Sequence, residues 1–489
     1  MFKLFRYILS ALLFTTILIA CKDDLEDGSN NNNPDEAQFS VDIGDSEIPY
    51  ITVDTRGVSI ENEPKIIADM TIYEKKVATN VSTIGIEYRG STSFRLSDKK
   101  SFGVESWDAE GNDIKASYFG LPEEEDWILM GHVVNETEGY MFDQTLMYHY
   151  LGYEISRNIG KYASRTKFVE LELNGEYQGV YIFMEKLKRD DNRIDLSKLE
   201  PSEIDEENIT GGYILKIDKT SGGDLNLNQP LEYYYTNWDD DARYSESLSF
   251  RSRYDIYGNI IGFPAFGAPY HENQYLETYF LYEYPAADEI ADEQKAYIQN
   301  YIDEFETALL TDNFAADERS YAEYIDIGSF VDYFIINELC RNVDAFRLST
   351  YLTKNKGEKL NMGPVWDMNI GFDNGDRVPI DNWVINYNQY VDKDAWMMPF
   401  WWPRLLEDAQ FRAAIKSRWN SLRTNELSTA KLHLMVNEIS SYLIKHGAIE
   451  RNYNRWTIGV PVDYLASIES LKDFLQTRAE WMDSEISNF

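Results

Sequence analysis

The chain has 489 residues, 43% hydrophobic and 14% aromatic, with 84 acidic against 46 basic side chains and a formal charge of −38. That is enough length and apolar content for one large domain or two to three ordinary ones. So acidic a surface repels phosphate backbones and excludes nucleic acid as a partner; free ATP would need a metal and a local basic site. Two cysteines, Cys21 and Cys340, cannot build a disulfide framework, and five scattered histidines lack zinc-ligand spacing.

Lys3 and Arg6 precede an apolar run over 7–20 that is too short to span a bilayer comfortably, the pattern of a signal peptide over 1–20. Leu18-Ile19-Ala20-Cys21 looks like a lipobox, which predicts cleavage before Cys21 and lipidation of its thiol. Lys22-Asp23-Asp24 resembles the acidic tag of some Bacteroidetes surface lipoproteins. Localisation in the outer membrane, facing the cell surface, is the expectation. Residues 21–37 are Asn-rich and polar, a tether without the apolar content to fold. Cys340 is then a buried small hydrophobe.

Residues 38–81 predict a small β region, with strands over Ile48–Val53 and Lys65–Ile72. Ser82–Tyr88 and Lys99–Glu105 predict a strand–loop–strand whose loop, from Arg89 through Ser93 to Asp98, is rich in small residues able to bring main-chain amides to phosphates. Alternation puts Lys100 on one face with Phe102 and Val104, where a lysine needs an anion. The functional reading gives Lys100 a nucleotide phosphate; the bland one lets it snorkel at a strand end. Residues 136–160 predict a helix whose apolar stripe, from Met141 to Leu151, faces the core. Asn174-Gly175 predicts a tight hairpin within 167–189 that ends at Glu185. In the long segment 190–285, Gly212–Asp218 and Glu246–Arg251 predict paired strands, and the Tyr-rich remainder is either a substrate-facing insertion or filler. An acidic amphipathic helix follows over 286–312.

The stretch 329–374 is the most informative. Ser329 and Asp332 read as a capping box opening a helix buried on one face through Phe330, Phe334, Ile335 and Leu339. A polar turn then carries Asp344. Strands over Ser349–Thr353 and Leu360–Trp366 fold back around Asn355-Lys356-Gly357-Glu358 and deliver Asp367, 23 positions after Asp344. Two acids at one sheet edge call for a cation between them. Asp373 is a further ligand or a solvated turn. Residues 396–489 predict three helices, with Trp401, Trp402 and Trp419 in the core.

The runs NVDAFRLSTYL, GPVWDMNIGFDN, YRGSTSF…KKSF and NGEYQGVYIFMEKLKRD resemble the CotH family of atypical kinases, typified by spore coat protein H. The resemblance implies an α+β fold, an atypical protein-kinase-like architecture with a β-rich N-lobe, a helical C-lobe and extra C-terminal helices, over 82–380 with a helical part over 381–489. It implies that Asp344 orients or deprotonates an acceptor hydroxyl and that Asp367 holds the metal. Lys100, Arg89 and Ser93 would meet the nucleotide, Lys100 would pair with Glu138 or Asp143 of the 136–160 helix, and Glu185 would stand at the edge that contacts the base. The kinase pattern expects a metal-binding Asn five positions after Asp344; Ser349 stands there, and Asn369 is the substitute the sequence offers. The implied activity is transfer of phosphate from ATP, with Mg²⁺ or Mn²⁺, to a protein Ser or Thr. A non-catalytic surface binding or adhesion lipoprotein on the same scaffold is the alternative, because little ATP is found outside a cell.

Overall fold

The computed structural model describes residues 37–220, 233, 236–316, 319–372 and 377–489. Cys21, the tether and Asp373 lie outside the described residues.

Seven strands close a barrel: β1 (Tyr50–Asp54), β2 (Ile66–Glu74), β3 (Val77–Arg89), β4 (Ser101–Trp107), β5 (Asp126–Gly131), β8 (Thr166–Leu173) and β9 (Glu176–Glu185), in the order β1-β2-β3-β4-β5-β9-β8. Closure comes from β1, which runs parallel to β8 while every other barrel pair is antiparallel. Residues 50–74 are thus two staves of the barrel. Alternate residues point inward, among them Met70, Ile84, Ile86, Phe102, Val104, Leu129 and Phe183, and full closure leaves no strand edge unpaired. Asn174 (φ 52°) and Gly175 (φ 79°) are both left-handed, as the two-residue hairpin predicted from Asn-Gly requires.

Between β3 and β4 the loop forms a helical turn, α1 (Thr92–Leu96). Between β5 and β8 the predicted long helix is only α2 (Tyr148–Asn158); Val134–Asn135 (β6) and Tyr140–Met141 (β7) pair as a short ribbon before it. The apolar spacing over 136–147 comes from that ribbon and its turn, not from a helix face.

The second sheet has the order β11-β12-β10-β13-β14. It comprises β10 (Tyr213–Ile217), β11 (Ser249–Arg251), β12 (Tyr279–Tyr284), β13 (Thr350–Lys354) and β14 (Leu360–Met362). The two strands expected to pair, β10 and β11, share this sheet with β12 between them. Packed on it are α3 (Asp292–Leu310) and α4 (Ile327–Cys340). The cap of α4 is Asp326, whose carboxylate accepts from Ser329 N at 2.6 Å; Asp332 instead pairs with Arg418 (2.7 Å) and Lys161 (3.1 Å). Every residue from Ser329 to Cys340 is buried, so α4 is enclosed all round and not on one face.

The C-terminal part runs through α5 (Trp401–Leu405), α6 (Ala409–Thr424), α7 (Thr429–Lys445), α8 (Ala448–Arg455) and α9 (Tyr464–Ser487). Asp408 caps α6 and breaks the single helix expected there. Trp401, Trp402 and Trp419 are fully buried. The unexpected α8 props the barrel: Asn452 Oδ1 accepts from Val180 N and from Lys99 Nζ, each at 3.0 Å, and Arg451 pairs with Glu170 at 2.6 Å. Among the described residues no helix is long and apolar enough to cross a membrane.

Candidate active site

A cleft of about 1030 Å³ separates the barrel from the second sheet. Its floor begins at the C-terminal end of β10. Ile217 is in register with Thr350, so Asp218 emerges beside Ser349. The Ser349 hydroxyl donates to Asp367 at 3.0 Å and stands 3.4 Å from the Asp218 carboxylate. Asn342 ties the acidic segment in place, its side-chain amide donating to the Asp367 carbonyl at 3.1 Å. The backbone is unusual here. Arg341, Phe346, Ser349 and Asp367 all have left-handed φ (49°, 72°, 45° and 48°), a conformation non-glycine residues hold only where surroundings impose it.

Electrostatics single out the same spot. Burial, then the neighbouring Asp218 charge and that of Asp344, push the Asp367 carboxyl up to about 6, against the opposing pull of Arg89 and the Ser349 hydroxyl. Burial also raises Asp218, with Lys216 and main-chain N–H groups of Lys219 and Ser349 opposing. Two acids forced together out of water are a hard-oxygen donor set suited to a divalent cation. Asn369 lines the same floor.

Asp344 stands on the same cleft wall, at the end of α4. Arg347 Nη2 donates to its Oδ1 at 2.5 Å and Arg377 Nη1 at 3.0 Å. Arg347 is itself buried and fixed by the carbonyls of Val343 (3.0 Å) and Trp396 (2.8 Å).

The roof is the β3–β4 loop. Arg89, Gly90 and Ser93 line the cleft. Gly90 (φ 94°) is required: a Cβ there would lie 2.3 Å from Ser93 Oγ. The loop is tied to the lower sheet's insertion by Asp241, which accepts from Ser91 Oγ at 2.5 Å and from Arg95 at 2.7 Å in a buried ion pair, with Trp238 stacked 4.4 Å from the Arg95 guanidinium.

Asp344, Asp367, Asn369, Arg89 and Ser93 therefore converge on one cleft. Two predicted residues do not. Lys100 Nζ donates to the carbonyls of Phe94 (2.6 Å) and Ser97 (2.7 Å), closing the loop behind the roof, and it does not line the cleft. It precedes β4, and the loop's bare carbonyls supply the partners that alternation left open. Its neighbour Lys99 is the deeply buried lysine, held by Val180 O and Asn452. Asp143, offered as a partner for Lys100, caps the start of α2 by accepting from Thr145 N and Tyr148 N. Glu185 is wholly buried and does not line the cleft; it accepts from Arg165 N, Arg165 Nη1 and Tyr162. The next residues, Lys186 and Leu187, line the cleft instead.

Sequence reasoning missed Asp218. Its signal was present, an acid ending the apolar run Tyr213–Ile217 just as Asp367 follows an apolar strand. A second acidic group, Glu124, Glu125 and Asp126, is compensated by Lys188, which reaches all three at 3.2, 2.7 and 2.7 Å.

Residues 86–482 match the family model described as CotH kinase protein. The chain belongs to the CotH kinase family. A search of curated proteins gives no match. In this CotH kinase the β-rich N-terminal and helical C-terminal parts carry out the expected α+β division. The family match extends over α5 to α8 and ends within α9, at residue 482.

Proposed function

We propose that the chain transfers the γ-phosphoryl group of ATP to a Ser or Thr hydroxyl of a protein. The observation that carries this reading is the Asp218–Ser349–Asp367 cluster facing the same cleft as Asp344 and Arg89. Asp218 and Asp367, with Asn369 beside them, would hold Mg²⁺ or Mn²⁺, which neutralises phosphate charge when bound. Arg89 offers its guanidinium to the phosphates from the roof. Asp344, fixed by Arg347 and Arg377, orients the acceptor hydroxyl and takes up its proton. Transfer of this kind needs little beyond positioning and charge compensation, which such an array supplies.

The lipobox ending at Cys21 and the acidic Lys22-Asp23-Asp24 support a lipid-anchored outer-membrane protein facing outward. The membrane is then one partner and a secreted or surface protein the other.

The test is a labelled-ATP assay with Mg²⁺ or Mn²⁺ on the chain from residue 38, beside Asp367→Asn. Metal-dependent label transfer that the substitution abolishes supports the reading. No transfer and no nucleotide-induced rise in melting temperature would leave the adhesion scaffold as the better account.

A further inference from the structure

Two buried polar atoms at the cleft have no hydrogen-bond partner among the described residues. One is Arg89 Nη1, at the end of β3; the other is His149 Nδ1, near the start of α2. Both residues line the cleft, and His149 is only 4% exposed. They are electrostatic neighbours: burial first and the Arg89 charge second hold the His149 ring neutral, down to about 3. Aromatic rings join them. The Arg89 guanidinium lies 5.7 Å from the Trp366 ring, Trp366 stacks with Tyr153 at 6.0 Å, and Tyr153 lies 6.0 Å from His149.

Their chemistry is complementary in one direction. A guanidinium only donates, whereas a neutral imidazole has one nitrogen that accepts. An orphaned buried polar atom costs stability and calls for an explanation. A single hydrogen bond from Arg89 Nη1 to His149 Nδ1 would satisfy both. Lys100 is committed to loop carbonyls, which leaves Arg89 as the cation at this end of the cleft roof.

We propose that His149 is a positioning residue for Arg89: when the cleft closes on a polyphosphate, Arg89 Nη1–H donates to His149 Nδ1 and the other guanidinium N–H groups are aimed at phosphate oxygens. This rests on the nucleotide reading above. It assigns His149 no contact with the reacting atoms. It makes α2 the part of the fold that senses whether the phosphate subsite is filled.

A double-mutant cycle tests it, with Mg·ATP and Mg·tripolyphosphate as probes in calorimetric titration. His149→Leu should keep a melting temperature at or above that of the parent, because the lost nitrogen has no partner in the unliganded protein. It should weaken both probes about tenfold, the size of one hydrogen bond to a charged group. His149→Gln, which restores an acceptor, should recover most of that loss. Arg89→Leu should weaken both probes, and adding His149→Leu to it should cost nothing more. Additive losses, or parent-like binding by His149→Leu, would overturn the pairing while leaving the kinase reading intact. A parent protein that binds neither probe would remove both.

Discussion

The Ser349 hydroxyl donates to Asp367 at 3.0 Å, at the residue where the kinase pattern expects asparagine. The departure is therefore filled in space by a different arrangement. Asp218 arrives from β10 to stand on the other side of this hydroxyl, 3.4 Å away. The acid pair that results has a titration of its own.

Cation binding should depend on pH. Asp367 is raised from an ordinary 3.8 to about 6, chiefly by burial and Asp218. A carboxyl raised on folding binds more protons in the native state, so the ion-free fold loses stability as pH rises through that window. The cation binds the deprotonated form, so its affinity should climb about tenfold per pH unit per proton below about 6 and then level off. Mn²⁺ titrations between pH 5 and 7.5 would show this. A flat profile would mean the ion goes elsewhere.

Asp344→Asn should separate chemistry from binding. The side chain keeps its shape beside Arg347 and Arg377 but no longer accepts a proton. Turnover should fall by about 10²–10⁴-fold, the usual contribution of a positioned base. Nucleotide affinity should change by less than about threefold, since Asp344 holds neither phosphate nor cation in this scheme. Equal losses in both would assign Asp344 to binding.

Glu306 gives a pH test far from the cleft. It is 1% exposed on α3, takes hydrogen bonds from Ser252 (2.8 Å) and Trp401 (2.8 Å), and is pushed up to about 8 by burial. Its folded value exceeds the ordinary 4.5, so stability contributed by the neutral form is lost as pH rises from about 4.5 to 8. Glu306→Gln removes that loss while keeping the Trp401 bond. Urea midpoints should match the parent near pH 5 and exceed it by about 1–3 kcal/mol near pH 9.

Arg478→Leu should be severe. On α9, Arg478 is wholly buried and donates to Glu338 Oε2 at 2.8 Å, to the Glu338 carbonyl at 2.8 Å and to Asn382 O at 2.8 Å. Glu338 also accepts from Val384 N and Ile385 N, so one ion pair ties α4, α9 and the strap between them. Removing the cation strands a buried carboxyl, a loss of about 3–5 kcal/mol. Thermal unfolding would report it, and turnover should fall with it because Arg341 and Asn342 continue directly from this helix.

Much of this was legible in sequence where local chemistry decides the outcome. Asn174-Gly175 fixed its hairpin, and the strands about the 355–358 turn delivered Asp367 to the edge reached from Asp344. What failed had tertiary causes. Lys100 shares a strand parity with Phe102, yet its partners are carbonyls of a loop whose helical turn no pattern announced. The family resemblance puts Glu185 at the base-contacting edge, whereas Arg165, just before β8, takes up its carboxylate. The buried all-round character of α4 depends on α6 and α9, far along the chain. Asp218 was missed because its significance comes from a neighbour 131 residues away.

The Asp241 latch has a consequence for traffic through the cleft. Ser91 and Arg95 belong to the loop that roofs the cleft, and Asp241 belongs to the insertion that follows β10 in the opposite wall. Lifting the canopy means exposing a carboxylate and a guanidinium that are now almost dry. Any opening of the roof therefore has to break that ion pair, and a substitution at Asp241 alters access to the cleft without disturbing a single acid on its floor.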